Sequence, residues 1–199
     1  MRQTLALSLL SALLATGCAH ATIRKAPTLD EHPPKSIVVM PTEPGMGPPE
    51  AAIHVRDSVA EALQRRGYQV IPFGEVDKRV APTASPAEVA AAIAADAVLY
   101  TRVTRYDLSK DMFNTRTTFG LSFAMNDREG GELWIAAWTV ATDTAGQGPR
   151  SEKGVGALFG AVVDVANAHE AAQRPPFLET ADAAIFQSID ELPEGPLAR

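Results

Sequence analysis

The 199-residue chain carries one cysteine, Cys18, so no disulfide can form within it. Stability in an oxidising compartment must then come from packing and hydrogen bonding. It also lacks a basic run: 18 Lys and Arg stand against 24 Asp and Glu, a net charge of −6. Nucleic-acid binding needs a cationic stripe to neutralise phosphates, so that class is set aside. No stretch approaches the roughly 18 apolar residues of a membrane-spanning helix. Several chemical signatures are missing as well: G-x-S-x-G, H-E-x-x-H and a phosphate-cradling glycine loop. Gly154-Val155-Gly156 follows a polar loop rather than a strand, which excludes a dinucleotide turn there. No cofactor is expected.

What is present is concentrated first at the N-terminus. Arg2, the short apolar region Leu5–Leu14 and the small residues Ala15-Thr16-Gly17 form a secretory signal that ends at Cys18. Leu14-Ala15-Thr16-Gly17-Cys18 reads as a bacterial lipobox, with Leu one place further back than usual. Cleavage before Cys18 and acylation of its sulfur and amine, with chains such as palmitate, would tether the protein, since two or more chains hold where one does not. Ala19 stands where an inner-membrane retention signal carries Asp, which points to the periplasmic face of the outer membrane. Loss of Arg2 leaves 17 Lys and Arg against 24 acids, a net charge of −7. The organisation read from the chain is a signal peptide over 1–17, a lipidated tether over 18–34 and one α/β domain over 35–196. Sixteen extended residues at ~3.3 Å each would let the domain stand up to ~50 Å from the membrane.

The domain opens with Ile37–Met40, an apolar run closed by Pro41 and suited to a central strand. A helix from Glu50 to Arg66 follows, with Ala52, Val55, Val59, Ala62 and Leu63 on one face and Gly67 as its C-cap. Tyr68–Ile71 makes a second strand, so the unit is a right-handed parallel crossover. Ser85-Pro86-Ala87-Glu88 starts a helix with an N-cap serine, proline at the first position and an early acid. Ala97–Tyr100 begins a third strand that continues through Val103 and Arg105. Phe119, Leu121, Phe123 and Met125 alternate on a fourth, with Gly120, Ser122 and Asn126 on its other face. After the turn Asp127–Gly131, Leu133–Ala141 returns as a fifth. Ala157–Ala172 and Phe177–Leu192 read as closing helices separated by Pro175-Pro176. The expected fold is a three-layer α/β domain: a mixed sheet of about five strands, a parallel crossover first and an antiparallel meander after, flanked by helices.

Several strings then align with a known family. They are Pro33-Pro34-Lys35-Ser36-Ile37-Val38-Val39, Arg66-Gly67-Tyr68-Gln69-Val70-Ile71-Pro72, Ala95–Tyr100, Gly131-Glu132-Leu133-Trp134 and Leu192-Pro193-Glu194-Gly195-Pro196. With the lipobox, their order and spacing resemble a family of bacterial outer-membrane lipoproteins of unknown function whose meningococcal member is a vaccine antigen. The resemblance implies a fold similar to the amino-terminal domain of TolB and to the periplasmic domain of the curli-channel protein. Because genes of the family often lie beside a curli-channel-like lipoprotein, it also implies an accessory role in an envelope transport or secretion assembly, with such a lipoprotein as partner. It supplies no catalytic residues. The family's glycine-rich stretch before the penultimate helix is reduced here to Gly154, Gly156 and Gly160.

Candidate sites remain. His54, with Glu50, Asp57 and Glu61 at helical spacing, could make a metal stripe, but the pattern puts all four on the solvated face and gives Glu61 an i,i+4 partner in Arg65. His20 and His32 fall in the tether, and His169 lies near a helix end. No metal site is expected. Trp134 and Trp138 share one face of the fifth strand, either as core or as a partner surface. In Gly156–Val163 the helix is apolar nearly all round, so Leu158, Phe159 and Val162 are read as core or as an interface with a partner or a second copy. The reading is a non-catalytic, lipid-anchored periplasmic accessory protein. Its rivals are a lipoprotein activator of a peptidoglycan synthase, which a long tether would suit, and a periplasmic hydrolase.

Overall fold

The computed structural model describes residues 20–110, 114–145 and 177–198. Strands β1 (His20–Lys25), β2 (Ser36–Val39), β3 (Gln69–Val70), β4 (Ala97–Lys110), β5 (Asn114–Asp127) and β6 (Glu132–Ala145) form one sheet in the order β1-β6-β5-β4-β2-β3. Helices α1 (Pro27–Glu31), α2 (Pro49–Arg65), α3 (Phe73–Arg79), α4 (Pro86–Ala92) and α5 (Phe177–Ile189) complete the described elements. β2 pairs in parallel with β3 and β4, and β4, β5 and β6 form the antiparallel meander. This is the mixed α/β sheet expected from the sequence, with six strands in place of about five.

The sixth strand corrects the tether. His20–Lys25, expected to be extended and solvated, pairs antiparallel with β6 from His20↔Thr139 to Lys25↔Trp134. α1 follows, and its Leu29 is fully buried in the main core. Edge pairing needs main-chain groups more than an apolar pattern, which is why Ala21 and Ile23 alone did not announce it. Residues 1–19, with the signal and Cys18, lie outside the described residues. So do His169, the helix expected over 157–172 and Leu158, Phe159 and Val162.

Strand alternation divides the core between the two faces of the sheet. Ile37, Val39, Ala97 and Leu99 point to one side, where Val55, Val59 and Leu63 of α2 cover them, and Ala184, Ile185 and Ile189 of α5 join the same core over β5 and β6. Val38, Met40 and Val98 point to the other, against Val76 of α3 and Val89 and Ile93 near α4. Among the described residues, helices flank both faces of the parallel half of the sheet. Phe119, Leu121, Phe123 and Met125 are all buried, as their alternation required. Trp134 and Trp138 join the same cluster, with the Phe123 and Trp134 rings 5.5 Å apart. The partner surface anticipated on these two indoles is therefore not available: both side chains are packed inside. Gly120 is closed as well, since a Cβ there would sit 2.7 Å from the Thr104 hydroxyl at the β4 bulge.

Local signals act as their chemistry requires. Ser85 and Glu88 make a capping box at α4. α2 ends in a Schellman motif, in which Tyr68 N–H bonds Leu63 O and Gly67 N–H bonds Gln64 O, with Gly67 at φ +91°. Gly67 and Gly195 then meet: a Cβ on Gly195 would lie 2.3 Å from the Gly67 carbonyl oxygen. Arg66 donates to the carbonyls of Asp190 and Leu192, and the Tyr68 hydroxyl donates to Pro193 O at 2.7 Å. Burial pushes the Tyr68 phenol up to about 12, with the Arg66 charge opposing and Asp30 assisting.

Asp96 holds the other end. Its Oδ2 accepts from Lys35 N–H, Ser36 N–H and the Ser36 hydroxyl at 3.0–3.1 Å, and its Oδ1 accepts from Arg128 at 2.8 Å. Partial burial raises its pKa, but those donors outweigh it and hold the carboxyl below its ordinary 3.8. A lowered folded value means that Asp96 adds stability above pH 3.8, and that this contribution is lost as pH falls through the folded value. Asp96→Asn should cost about 1–2 kcal/mol at pH 7 by weakening bonds to a charged acceptor. Thermal melts at pH 7 and near pH 3 check this: the deficit should shrink at the lower pH.

Candidate functional site: the α2–α5 junction and the strand switch point

Two places in the described fold could carry chemistry. The first is the junction of α2 and α5. His54 and Ser58 stand one turn apart on α2 and face Asp182 of α5. His54 Nε2 lies 2.9 Å from Asp182 Oδ1, the Ser58 hydroxyl donates to that same oxygen at 2.7 Å, and Ser58 Oγ is 3.3 Å from Nε2. Serine, histidine and aspartate together invite a hydrolase reading. In a working relay, however, the imidazole stands between the other two, with the acid on one ring nitrogen and the hydroxyl on the other. Here serine and acid meet the same nitrogen, and the serine proton is directed to the carboxylate. The imidazole cannot draw that proton in this arrangement, so the cluster is an interhelical tie.

His54 is thus half-buried against α5, which corrects its expected place on a solvated face. Its partner is Asp182, and Glu50, Asp57 and Glu61 are not gathered around it. Among the described residues no three His, Cys, Asp or Glu side chains are grouped to hold a metal. Glu61 makes the anticipated pair with Arg65 at 2.6 Å. Further along the junction, Ala62, Arg65, Arg66, Phe186, Ile189 and Asp190 line an open cleft of about 300 Å³. Its cations are engaged within the chain: Arg65 stacks 4.3 Å over the Phe186 ring, and Arg66 is held by the C-terminal carbonyls. Sequence reasoning missed Ser58 and Asp182. The only local trace was a polar i,i+4 pair, His54 and Ser58, beside the apolar stripe of α2.

The second place is the switch point of the sheet. β2 and β4 are parallel neighbours whose connections cover opposite faces, and open α/β sheets bind ligands at the carboxyl ends of such strands. In this chain residues 40–47 continue past β2 as a strap alongside β4, with a parallel bridge between Glu43 and Arg102. Met40 N–H bonds Leu99 O, Glu43 N–H bonds Thr101 O and Val103 N–H bonds Glu43 O, each at 3.0 Å. The hydroxyls of Thr42 and Thr101, both buried, lie 2.5 Å apart. Gly45, at φ +52°, passes so close that a Cβ would sit 2.0 Å from Val103 O. Beside this strap Arg56 donates twice to Val39 O, forks onto Asp77 at 2.8 and 3.0 Å and lies 4.1 Å over the Phe73 ring. The Arg56 hydrogen bond, against slight burial, keeps the Asp77 carboxyl below its ordinary range. The edge of β4 beyond β2 is therefore covered by residues 40–47.

The tie reading makes a direct prediction. Asp182→Ala should destabilise by about 1–3 kcal/mol, because the buried Ser58 hydroxyl loses its acceptor. A thermal melt indistinguishable from the parent chain would contradict it.

No curated protein sequence matches the chain. The PelC dodecamer from Paraburkholderia phytofirmans superposes with a TM-score of 0.55 at 14% identity, covering 92% of this chain and 99% of that one. A point variant of the same protein gives 0.53 at 18% identity over 92% and 100%. Lipoprotein GNA1162 from Neisseria meningitidis is similar at 23% identity over 69% of this chain and 99% of that one, with a TM-score of 0.49. At such identities the PelC likeness shows a shared fold. The sequence profile of the family described as "Putative lipoprotein GNA1162-like" matches residues 27–191, which takes in the strings from Pro33 to Trp134. The chain belongs to the GNA1162-like lipoprotein family.

Proposed function

We propose that this protein is anchored by acyl chains on Cys18 to the periplasmic face of the outer membrane and serves there as an accessory to a transport or secretion assembly. It works by protein binding rather than by catalysis. The observation that carries the binding reading is the α2–α5 tie, in which Ser58 and His54 both meet Asp182 Oδ1, so this Ser–His–Asp cluster among the described residues joins two helices and is not set out as a relay. Membership in a lipoprotein family supports the anchor. The rival role as an activator of a cell-wall synthase leaned on a long tether, and β1 begins two residues after Cys18, which favours work close to the membrane. A curli-channel-like lipoprotein remains the partner proposed from the family.

Self-association is part of the proposal. A protein of the same fold, PelC from Paraburkholderia phytofirmans, is a dodecamer. With Trp134 and Trp138 in the core, the proposed interface is the apolar run containing Leu158, Phe159 and Val162. Its small residues Gly156 and Gly160, four apart, would let a second backbone approach closely. Two variants test the proposal. Cys18→Ala should move the protein from the outer-membrane fraction of a sucrose gradient to the soluble fraction, and continued sedimentation with membranes would overturn the anchor. Leu158→Glu should lower the oligomer mass or partner recovery with little change in the melting temperature. Unfolding of that variant would instead assign the segment to the core.

A further inference from the structure

The register of the sheet says where the anchor leaves the domain. His20, the first residue of β1, lies level with Thr139 of β6, which is level with Gly120 of β5 and so with Arg105 of β4. Beyond that level, among the described residues, β4, β5 and β6 continue through 106–110, 114–119 and 140–145 as a three-stranded ribbon. Six residues of antiparallel strand carry it ~20 Å further. Cys18 lies two residues before His20, so its Cα is within ~7 Å of the His20 Cα however residue 19 runs. A lipid on Cys18 therefore brings the bilayer to the end of the sheet from which the ribbon projects.

The exposed apolar side chains give an independent indication of the same end. Four large ones are exposed among the described residues: Met46, Ile53, Leu108 and Leu197. Leu108 stands on the ribbon, paired with Thr117. Met46 bonds through its N–H to Val103 O, at the root of the ribbon, and Ile53 lies near the start of α2, which that loop leads into. Leu197 alone is elsewhere, bonded to Gly67 past the far end of α2. Leu108, Met46 and Ile53 thus lie toward the end of the sheet nearest the proposed anchor, where exposed apolar side chains can enter a lipid interface.

We infer that this end of the domain, with Leu108 on the ribbon and Met46 and Ile53 beside its root, is a membrane-contact surface that seats on the phospholipid interface holding the Cys18 acyl chains. The inference rests on the anchor proposed above. It assigns an orientation: the β5–β6 turn at Asp127–Gly131 points away from the bilayer, and partners approach from that side or laterally.

The test uses the lipidated protein, in which acylation of Cys18 leaves an introduced cysteine as the sole thiol. Leu108→Cys and, separately, Glu129→Cys would each carry an environment-sensitive fluorophore, in vesicles of phosphatidylethanolamine and phosphatidylglycerol. The Leu108 label should shift to the blue, be quenched by spin-labelled lipid and lose quenching by aqueous iodide; the Glu129 label should do none of these. Proteins that fail to float with the vesicles would overturn the anchor and the contact surface together. Flotation with equal iodide quenching at both positions would overturn the contact surface alone. Protection of the Leu108 label without quenching by lipid would assign that surface to a protein neighbour and also overturn it.

Discussion

Six residues of main-chain pairing, His20–Lys25 against Trp134–Thr139, decide how the whole domain is held. The ladder turns a segment that would otherwise be a leash into an edge strand of the sheet. It sets His20, two residues after Cys18 in the sequence, at a fixed register on the sheet. A leash would let a domain sample any orientation over a radius of tens of ångströms. If Cys18 carries the proposed anchor, a strand docked two residues after it leaves little such freedom. The same ladder brings α1 against β6 and its Leu29 into the core.

The strings shared with the family acquire physical meaning once the chain is folded. Lys35-Ser36 and Asp96, 60 residues apart in the case of Ser36, meet through one carboxylate that also takes Arg128 from the β5–β6 turn. Arg66-Gly67-Tyr68 and Leu192–Gly195 meet through two side-chain bonds from Arg66 to Leu192 O, one from Tyr68 to Pro193 O and a backbone approach that only glycine permits at Gly67 and Gly195. One cluster pins the amino ends of the parallel strands; the other pins the C-terminal segment against the end of α2. These are positions where a polar or small residue is needed for what it touches rather than for the element it lies in.

Much of the fold was legible because it repeats along the chain. The buried face of α2, the alternation of Phe119–Met125 and the cap at Ser85 are periodic or local signals, and each folds as its spacing requires. β1 was not legible because an edge strand with Ile23 as its main apolar contribution carries little pattern. The α2–α5 tie was not legible because His54 and Asp182 are 128 residues apart, and no local rule pairs them. Trp134 and Trp138 show a different limit. Their shared face followed from the period of two, but whether that face met α5 or a partner depended on packing that strand periodicity does not encode.

Among the described residues, 40–47 run beside β4, and His54 and Ser58 are tied to one carboxylate oxygen of Asp182. On the proposed function, what the domain does depends on where it is held and what it touches, and both begin at Cys18. Intact-mass and peptide mass spectrometry of the protein purified from membranes tests that claim most directly. The account predicts a mature chain that starts at Cys18 and carries acyl chains on its sulfur and amine. A mature chain that keeps Cys18 as an unmodified thiol, or that begins beyond it, would contradict it.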